Sequence, residues 1–213
     1  ARHALAALEH APDARIAPHA LRLLALARFR QRDLEEAGAC VTQARRLTPP
    51  RDARGLAALD HLAGLMALER GDAGLAVELL LTAREHRRAA ADVEGECACL
   101  DAIADAFART GRLSASLALL EDVDRLREKV GDDLGRAYSK RSGAEALLAV
   151  GDAEAALRLA LEARQLAASH RLEQLDLAAA VIAARAYLVT GRAVQAEAEL
   201  NRVRRRAKDS FSS

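Results

Sequence analysis

Apolar residues recur at three- and four-residue spacings through most of the chain, the mark of helices with one buried stripe. The stripes come in pairs. First members of a pair run over Pro18–Arg30, Gly55–Arg70, Glu94–Arg109, Leu134–Val150 and Gln174–Val189. Second members run over Leu34–Leu47, Ala73–Arg88, Leu113–Lys129, Ala153–Ala168 and Ala193–Ala207. The turn Arg70-Gly71-Asp72 inside one pair recurs as Thr110-Gly111-Arg112, Val150-Gly151-Asp152 and Thr190-Gly191-Arg192, so the glycines fall 40 residues apart. Gln31-Arg32-Asp33 is a degenerate copy 39 residues before Gly71. Glycine closes a helix C-terminus, and Asp33, Asp72 and Asp152 then offer a side-chain oxygen to the next helix's unpaired amides. Glu36 follows Asp33 at capping-box spacing.

Pro49-Pro50, Asp92 and Gly131-Asp132-Asp133 separate one pair from the next, whereas Ser169–Leu172 holds no strong breaker. The expected organisation is five repeats over 14–208, bounded near 14–50, 51–91, 92–131, 132–171 and 172–208. Residues 1–13 read as the end of a preceding repeat, with Ala1–Ala11 helical, and 209–213 as a frayed tail. The opening on Ala1 is taken as a sign of a fragment from a longer protein.

A packing code repeats with the turns. Seven residues before each turn the side chain is small: Ala25, Gly64, Ala104, Ala144, Ala184. Five after it stand Ala37, Ala76, Ser116, Ala156 and Ala196, and twelve after it Ala44, Ala83, Val123, Ala163 and Val203. Small residues at fixed offsets let paired helices approach closely. Val41, Leu80, Leu120, Ala160 and Leu200, nine after the turn, fill the space between them. A lone hairpin cannot bury both of its faces, so the units must stack.

These residues resemble the tetratricopeptide (TPR) signature of a small residue, a bulky one three later, Ala, and a bulky residue four further on. Ala104…Phe107…Ser116…Leu120 and Ala184…Tyr187…Ala196…Leu200 follow it, and Pro49 matches the final Pro once. The initial Trp is replaced by Leu21, Asp60, Leu100, Lys140 and Ala180, and the period is about 40 where 34 is usual. HEAT-type repeats share the period but not this register. The long repeats are similar to those of MalT-like bacterial signal-transduction regulators. The resemblance implies an all-α, right-handed α-solenoid (a superhelix) of TPR-like helix-turn-helix repeats. It also implies a non-catalytic interaction module, the sensor or regulatory region of a larger bacterial signalling or transcription-regulatory protein. A plain protein–protein scaffold or adaptor is the alternative.

Composition agrees with helices. Aromatic residues make up 2% of the chain against 51% hydrophobic, mostly Ala and Leu, which leaves little strand-forming material. A net charge of +1 predicts no nucleic-acid face. Three cysteines, an odd number, fit a reducing compartment, and the expected location is cytoplasmic. No apolar run reaches membrane-spanning length, so no membrane partner is expected.

In TPR-like solenoids the first helix of each pair lines the concave surface. Carried over, the inward positions lie thirteen, ten, six and two residues before each turn. They include His19 and Arg22, then His61, then Asp101, Asp105 and Arg109, then Tyr138, Arg141 and Glu145, then Arg185, with apolar Ala178, Val181 and Val189 toward the C-terminal end. Arg22, Arg141 and Arg185 suit bidentate contact with carboxylate or phosphate, and Tyr138 a flat contact. Solvated faces with charges paired at i,i+4 are the plainer reading of the same residues. The expected partner is a protein or peptide. A small-molecule effector and self-association into a homodimer are also compatible with the face. No groove position is Asn, so the family's carboxylate clamp for chaperone tails is not expected.

Nothing else carries chemistry. Cys97 and Cys99 point to different sides of a helix, and with His86 they match no zinc spacing, so neither metal nor cofactor is expected. The single turn glycines build no phosphate loop. Glu35-Glu36 and Asp132-Asp133 sit at helix starts, where carboxylates favour the helix dipole. The basic run Arg202–Lys208 ends a helix, where cations sit well. No nucleophile and base can be placed together, and no enzyme is expected.

Overall fold

The computed structural model describes residues 17–210. Among them are ten α-helices and no strand: α1 (Ala17–Arg30), α2 (Leu34–Leu47), α3 (Ala53–Glu69), α4 (Ala73–Ala89), α5 (Val93–Arg109), α6 (Leu113–Val130), α7 (Asp133–Ala149), α8 (Ala153–Ser169), α9 (Glu173–Val189) and α10 (Ala193–Ser210). The expected helix over Ala1–Ala11 and the end of the tail at 211–213 lie outside the described residues.

Turn chemistry explains the spacing. From Gly71 onward a left-handed residue stands every 20 positions: Gly71 (φ 83°), Ala91 (52°), Gly111 (77°), Gly131 (73°), Gly151 (88°), Arg171 (56°) and Gly191 (75°). The amide that follows each one reaches back to the carbonyl five residues earlier, as from Asp72 to Ala67 (3.0 Å), Asp92 to Arg87 (2.9 Å), Asp132 to Arg127 (3.0 Å) and Leu172 to Ala167 (2.8 Å). This closes each helix and turns the chain within three residues. Arg32 (φ 65°) takes the glycine's place in the degenerate first copy. The boundary without a breaker falls at Arg171, in register with Ala91 and Gly131. Only α2 ends differently. Thr48 is extended (φ −79°, ψ 121°) because the following proline disfavours helical backbone.

Asp33, Asp72 and Asp152 cap α2, α4 and α8 as expected, each accepting the amide three residues on. Asp52, Asp92 and Asp132 do the same for α3, α5 and α7 at 2.8, 2.9 and 2.8 Å. That is why α3 starts at Ala53, two residues before the expected Gly55. Glu36, expected to complete a capping box with Asp33, pairs instead with Arg28 at 3.5 Å.

The chain divides within α5 into two compact units, 1–106 and 107–213. In the first, α1 packs on α2 and α3 on α4, and the first pair packs on the second through α1–α3 and α2–α3 contacts. The second unit stacks α6 to α10 in the same way, with first helices α7 and α9 also in contact. The core lies where the packing code places it. Ala25, Ala37, Ala44, Ala76, Ala83, Val123, Ala144, Ala156, Ala160 and Ala163 are all fully buried. At Gly64 an added Cβ would stand 2.7 Å from Leu80 Cγ, so the second repeat closes one methyl tighter than its neighbours. Leu200 departs from its column and is 45% exposed. No helix among the described residues is long and apolar enough to cross a membrane.

Candidate functional site

The residues ten and thirteen before each turn sit on the first helices. In the first unit His19 and Arg22 lie one helical turn apart, and Arg22 Nη2 donates to His19 Nδ1 at 2.7 Å. With Pro18, Leu47, Arg54 and Ala58 they border a recess of about 720 Å³. His61, at the position of Arg22 one repeat later, is drawn inward. Its Nδ1 lies 3.5 Å from the thiol of buried Cys99. Burial, aided by the Arg87 charge, pushes the imidazole down to about 4. Burial pushes the Cys99 thiol up to about 11. The pair is therefore uncharged near neutrality, a packed contact with no thiolate to react. Asp101 and Asp105, on the same unit's share of α5, are both engaged by neighbours.

In the second unit the corresponding side chains stay outside. Tyr138 is 48% exposed on α7, and Arg141 reaches Glu145 at 3.4 Å, the i,i+4 pairing expected of a solvated face. On α9, which packs beside α7, Arg185 is exposed among Val181, Leu188 and Val189. Arg109 has a partner of its own. The structure therefore brings Tyr138, Arg141, Glu145 and Arg185 onto adjacent helices, places His19 and Arg22 together in the other unit, and turns His61 into the packing. Among the described residues, no three His, Cys, Asp or Glu side chains converge as a metal would require.

No protein-family model matches the chain, and no curated protein matches it. Solved structures do. Nearly identical TPR-like repeats from a kinesin-light-chain-like protein of Podospora anserina superpose with a TM-score of 0.70 at 22% identity, over 92% of this chain and 96% of that one. Their helices follow the same path. The fold is that of the TPR-like repeat proteins, an all-α solenoid. A signal-transduction ATPase with numerous domains from Pyrococcus horikoshii, which carries a TPR sensor, matches at TM-score 0.79 and 16% identity over 93% of this chain. This chain spans 32% of that protein. The Rap conjugation gene regulator of plasmid pLS20, solved with the Phr* peptide, matches at 0.74 and 14% identity, over 92% of this chain and 55% of that one.

Within this TPR-like frame, Leu21, Leu100 and Ala180 fill the positions where the signature asks for Trp as buried apolar residues, while the other two, Asp60 and Lys140, are polar junctions. Asp60 is 2% exposed and held by Arg45, with His86 Nδ1 3.2 Å from its other oxygen. Lys140 lies between Asp124 (3.1 Å) and Glu162 (2.7 Å). Burial alone would lower its ammonium, but the hydrogen bonds it donates to Glu162 and Asp124 override that and hold it above the ordinary lysine value. A second set of pairs joins the second helices α4, α6 and α8 to residues twelve positions on: Arg84–Glu96 (3.0 Å), Asp124–Arg136 (3.1 Å) and Arg164–Asp176 (3.0 Å). Sequence reasoning passed over these pairs. The available signal was charge in a column 40 residues apart, opposite another charged column twelve away.

Proposed function

We propose that the chain is a non-catalytic interaction module that holds an extended peptide or protein segment on its first-helix surface, as the sensor or regulatory part of a larger bacterial signalling protein. One observation carries this. The second unit leaves Tyr138, Arg185, Val181 and Val189 exposed, with Arg141 half-exposed, on the adjacent helices α7 and α9. An aromatic ring, two guanidinium forks and aliphatic surface are what an amphipathic segment with a carboxylate needs. Among the described residues, Arg141 is held by Glu145 and Ser142 at 3.4–3.5 Å, so a ligand carboxylate competes easily. The peptide-bound Rap regulator and the TPR sensor of the Pyrococcus ATPase, similar in fold, support the reading by analogy only.

A peptide display library selected against the chain tests it. Selected peptides should lose about tenfold or more in affinity to an Arg141→Ala/Arg185→Ala variant that melts like the parent, the scale of one lost charged contact. Undiminished affinity would move the site elsewhere. Hydrogen exchange separates a sensor from a scaffold. A sensor slows exchange in helices beyond the contact when the peptide binds, and a scaffold does so only beneath it.

A further inference from the structure

We propose that the second unit holds a separate pocket for a small organic cation with an apolar body, on the side of α7 turned away from the peptide surface. A cavity of about 370 Å³ opens between α6, α7 and α8. That lies in the range of small-molecule sites. From α7 it is lined by Ser139, Lys140, Gly143 and Leu147, which interleave with Tyr138, Arg141 and Glu145 but face the other way. The proposal therefore does not rest on the peptide-binding reading.

One residue makes the space. Eight positions before each turn stand Leu24, Ala63, Ile103, Gly143 and Ala183. Ile103 stands at the equivalent place one repeat earlier, whereas Gly143 adds no side chain to the slot and lies against Leu159 and Leu120. A Cβ built there would meet only Leu159 Cδ1 at 3.0 Å and Leu120 Cδ1 at 3.9 Å. Both are tips of flexible side chains. The walls are Leu117, Leu120, Leu147 and Leu159, an apolar slot between three helices.

The rim sets the charge of the occupant. Glu121, Asp124, Asp152 and Glu162 face Lys140 and Arg158, and Arg136 reaches Asp124 at 3.1 Å, so carboxylates outnumber cations by one. Lys140 is already neutralised between Asp124 and Glu162, which leaves it no free charge for an anion. An ammonium entering beside Glu121, exposed at the mouth, meets the negative charge the rim has in excess. An aliphatic or aromatic body behind it covers the leucines.

The chain has no Trp, so an indole probe supplies the only indole fluorescence. Tryptamine should bind saturably by anisotropy, and indole-3-propionate, a similar body with the opposite charge, should bind at least about tenfold more weakly. Gly143→Ile should weaken tryptamine by about tenfold or more while the variant still folds, as read by circular dichroism. Absence of saturable tryptamine binding, equal binding of the anion, or full binding by a folded Gly143→Ile protein would each overturn the proposal. If Gly143→Ile does not fold, Gly143→Ala and Glu121→Lys decide. A loss of about threefold or more in both sustains the pocket, and a smaller loss in either one overturns it.

Discussion

Two junctions between successive repeats, α4 to α5 in the first unit and α6 to α7 in the second, have the same construction and different chemistry. In both, an arginine sixteen residues after the turn glycine runs to the aspartate that caps the next helix: Arg87 to Asp92 at 2.5 Å, Arg127 to Asp132 at 3.0 Å. In both, a glycine three residues past that cap leaves room for the guanidinium. A Cβ at Gly95 would stand 2.6 Å from Arg87 Cδ, and one at Gly135 2.3 Å from Arg127 Nε. Past the glycine they diverge. Arg127 also donates to Gly135 O (2.9 Å) and to Ser139 Oγ, and its side chain is 6% exposed. The residue equivalent to Ser139 is Cys99, whose thiol turns to His61. The Arg87 side chain is 20% exposed. A repeat keeps the contact between helices and lets its chemistry vary.

The largest contrast is expected from removing the two arginines. Arg127→Met withdraws a buried cation from a carboxylate, a carbonyl and a hydroxyl, and should destabilise the protein by roughly 3 kcal/mol. Arg87→Met removes fewer bonds from a wetter site and should cost roughly 1–2 kcal/mol. Urea unfolding followed by circular dichroism gives both numbers. Equal losses would mean that the capping aspartate, shared by both sites, is the whole of the interaction, and that Ser139 contributes nothing.

The same junctions differ in sign. Glu96 on α5 sits against Arg84 and Arg88 at 3.0 and 3.5 Å. Its counterpart Arg136 on α7 sits against Asp124, Glu128 and Asp133 at 3.1, 3.2 and 3.4 Å. Reversing the charge turns attraction into repulsion in each case. The loss should be larger for Arg136→Glu, about 2 kcal/mol against three carboxylates, than for Glu96→Arg, about 1 kcal/mol against two guanidiniums. Both losses should shrink in high salt, because the groups are partly exposed. Unfolding at low and high ionic strength checks the order. Losses that do not respond to salt would trace the effect to packing of the side-chain stems.

What was legible in the sequence follows from this. The helices, the turn glycines and the small-residue columns were readable because their causes are local or strictly periodic: helix spacing, a left-handed backbone, a methyl-sized contact. The ion pairs were not, since a column holding Glu96, Arg136 and Asp176 looks inconsistent until its partners Arg84, Asp124 and Arg164 are seen to change sign with it. His61 read as a surface residue because its spacing matches that of Arg141. Only the thiol of Cys99, 38 residues away, shows why one turns in and the other does not. The cavity at Gly143 escaped for a similar reason. A glycine inside a helix reads as a weak helix former, and its open side appears only once Leu120 and Leu159 are placed around it.

The smallest contrast concerns the turn residue at each junction. Ala91 and Gly131 are equivalent, and both are left-handed, at φ 52° and 73°. A side chain makes that region unfavourable by roughly 1 kcal/mol, while glycine enters it freely. Gly131 has nothing within 4 Å of where a Cβ would stand, so Gly131→Ala tests the backbone alone. It should destabilise by about 1 kcal/mol, less the part returned by a stiffer unfolded chain. Ala91→Gly should move the other way, stabilising by up to about 0.5 kcal/mol after the same correction. Were Ala91→Gly to destabilise by as much as Gly131→Ala, the left-handed turn at Ala91 would owe its stability to contacts of the alanine methyl. The twenty-residue rhythm would then be set by packing, with backbone preference following it.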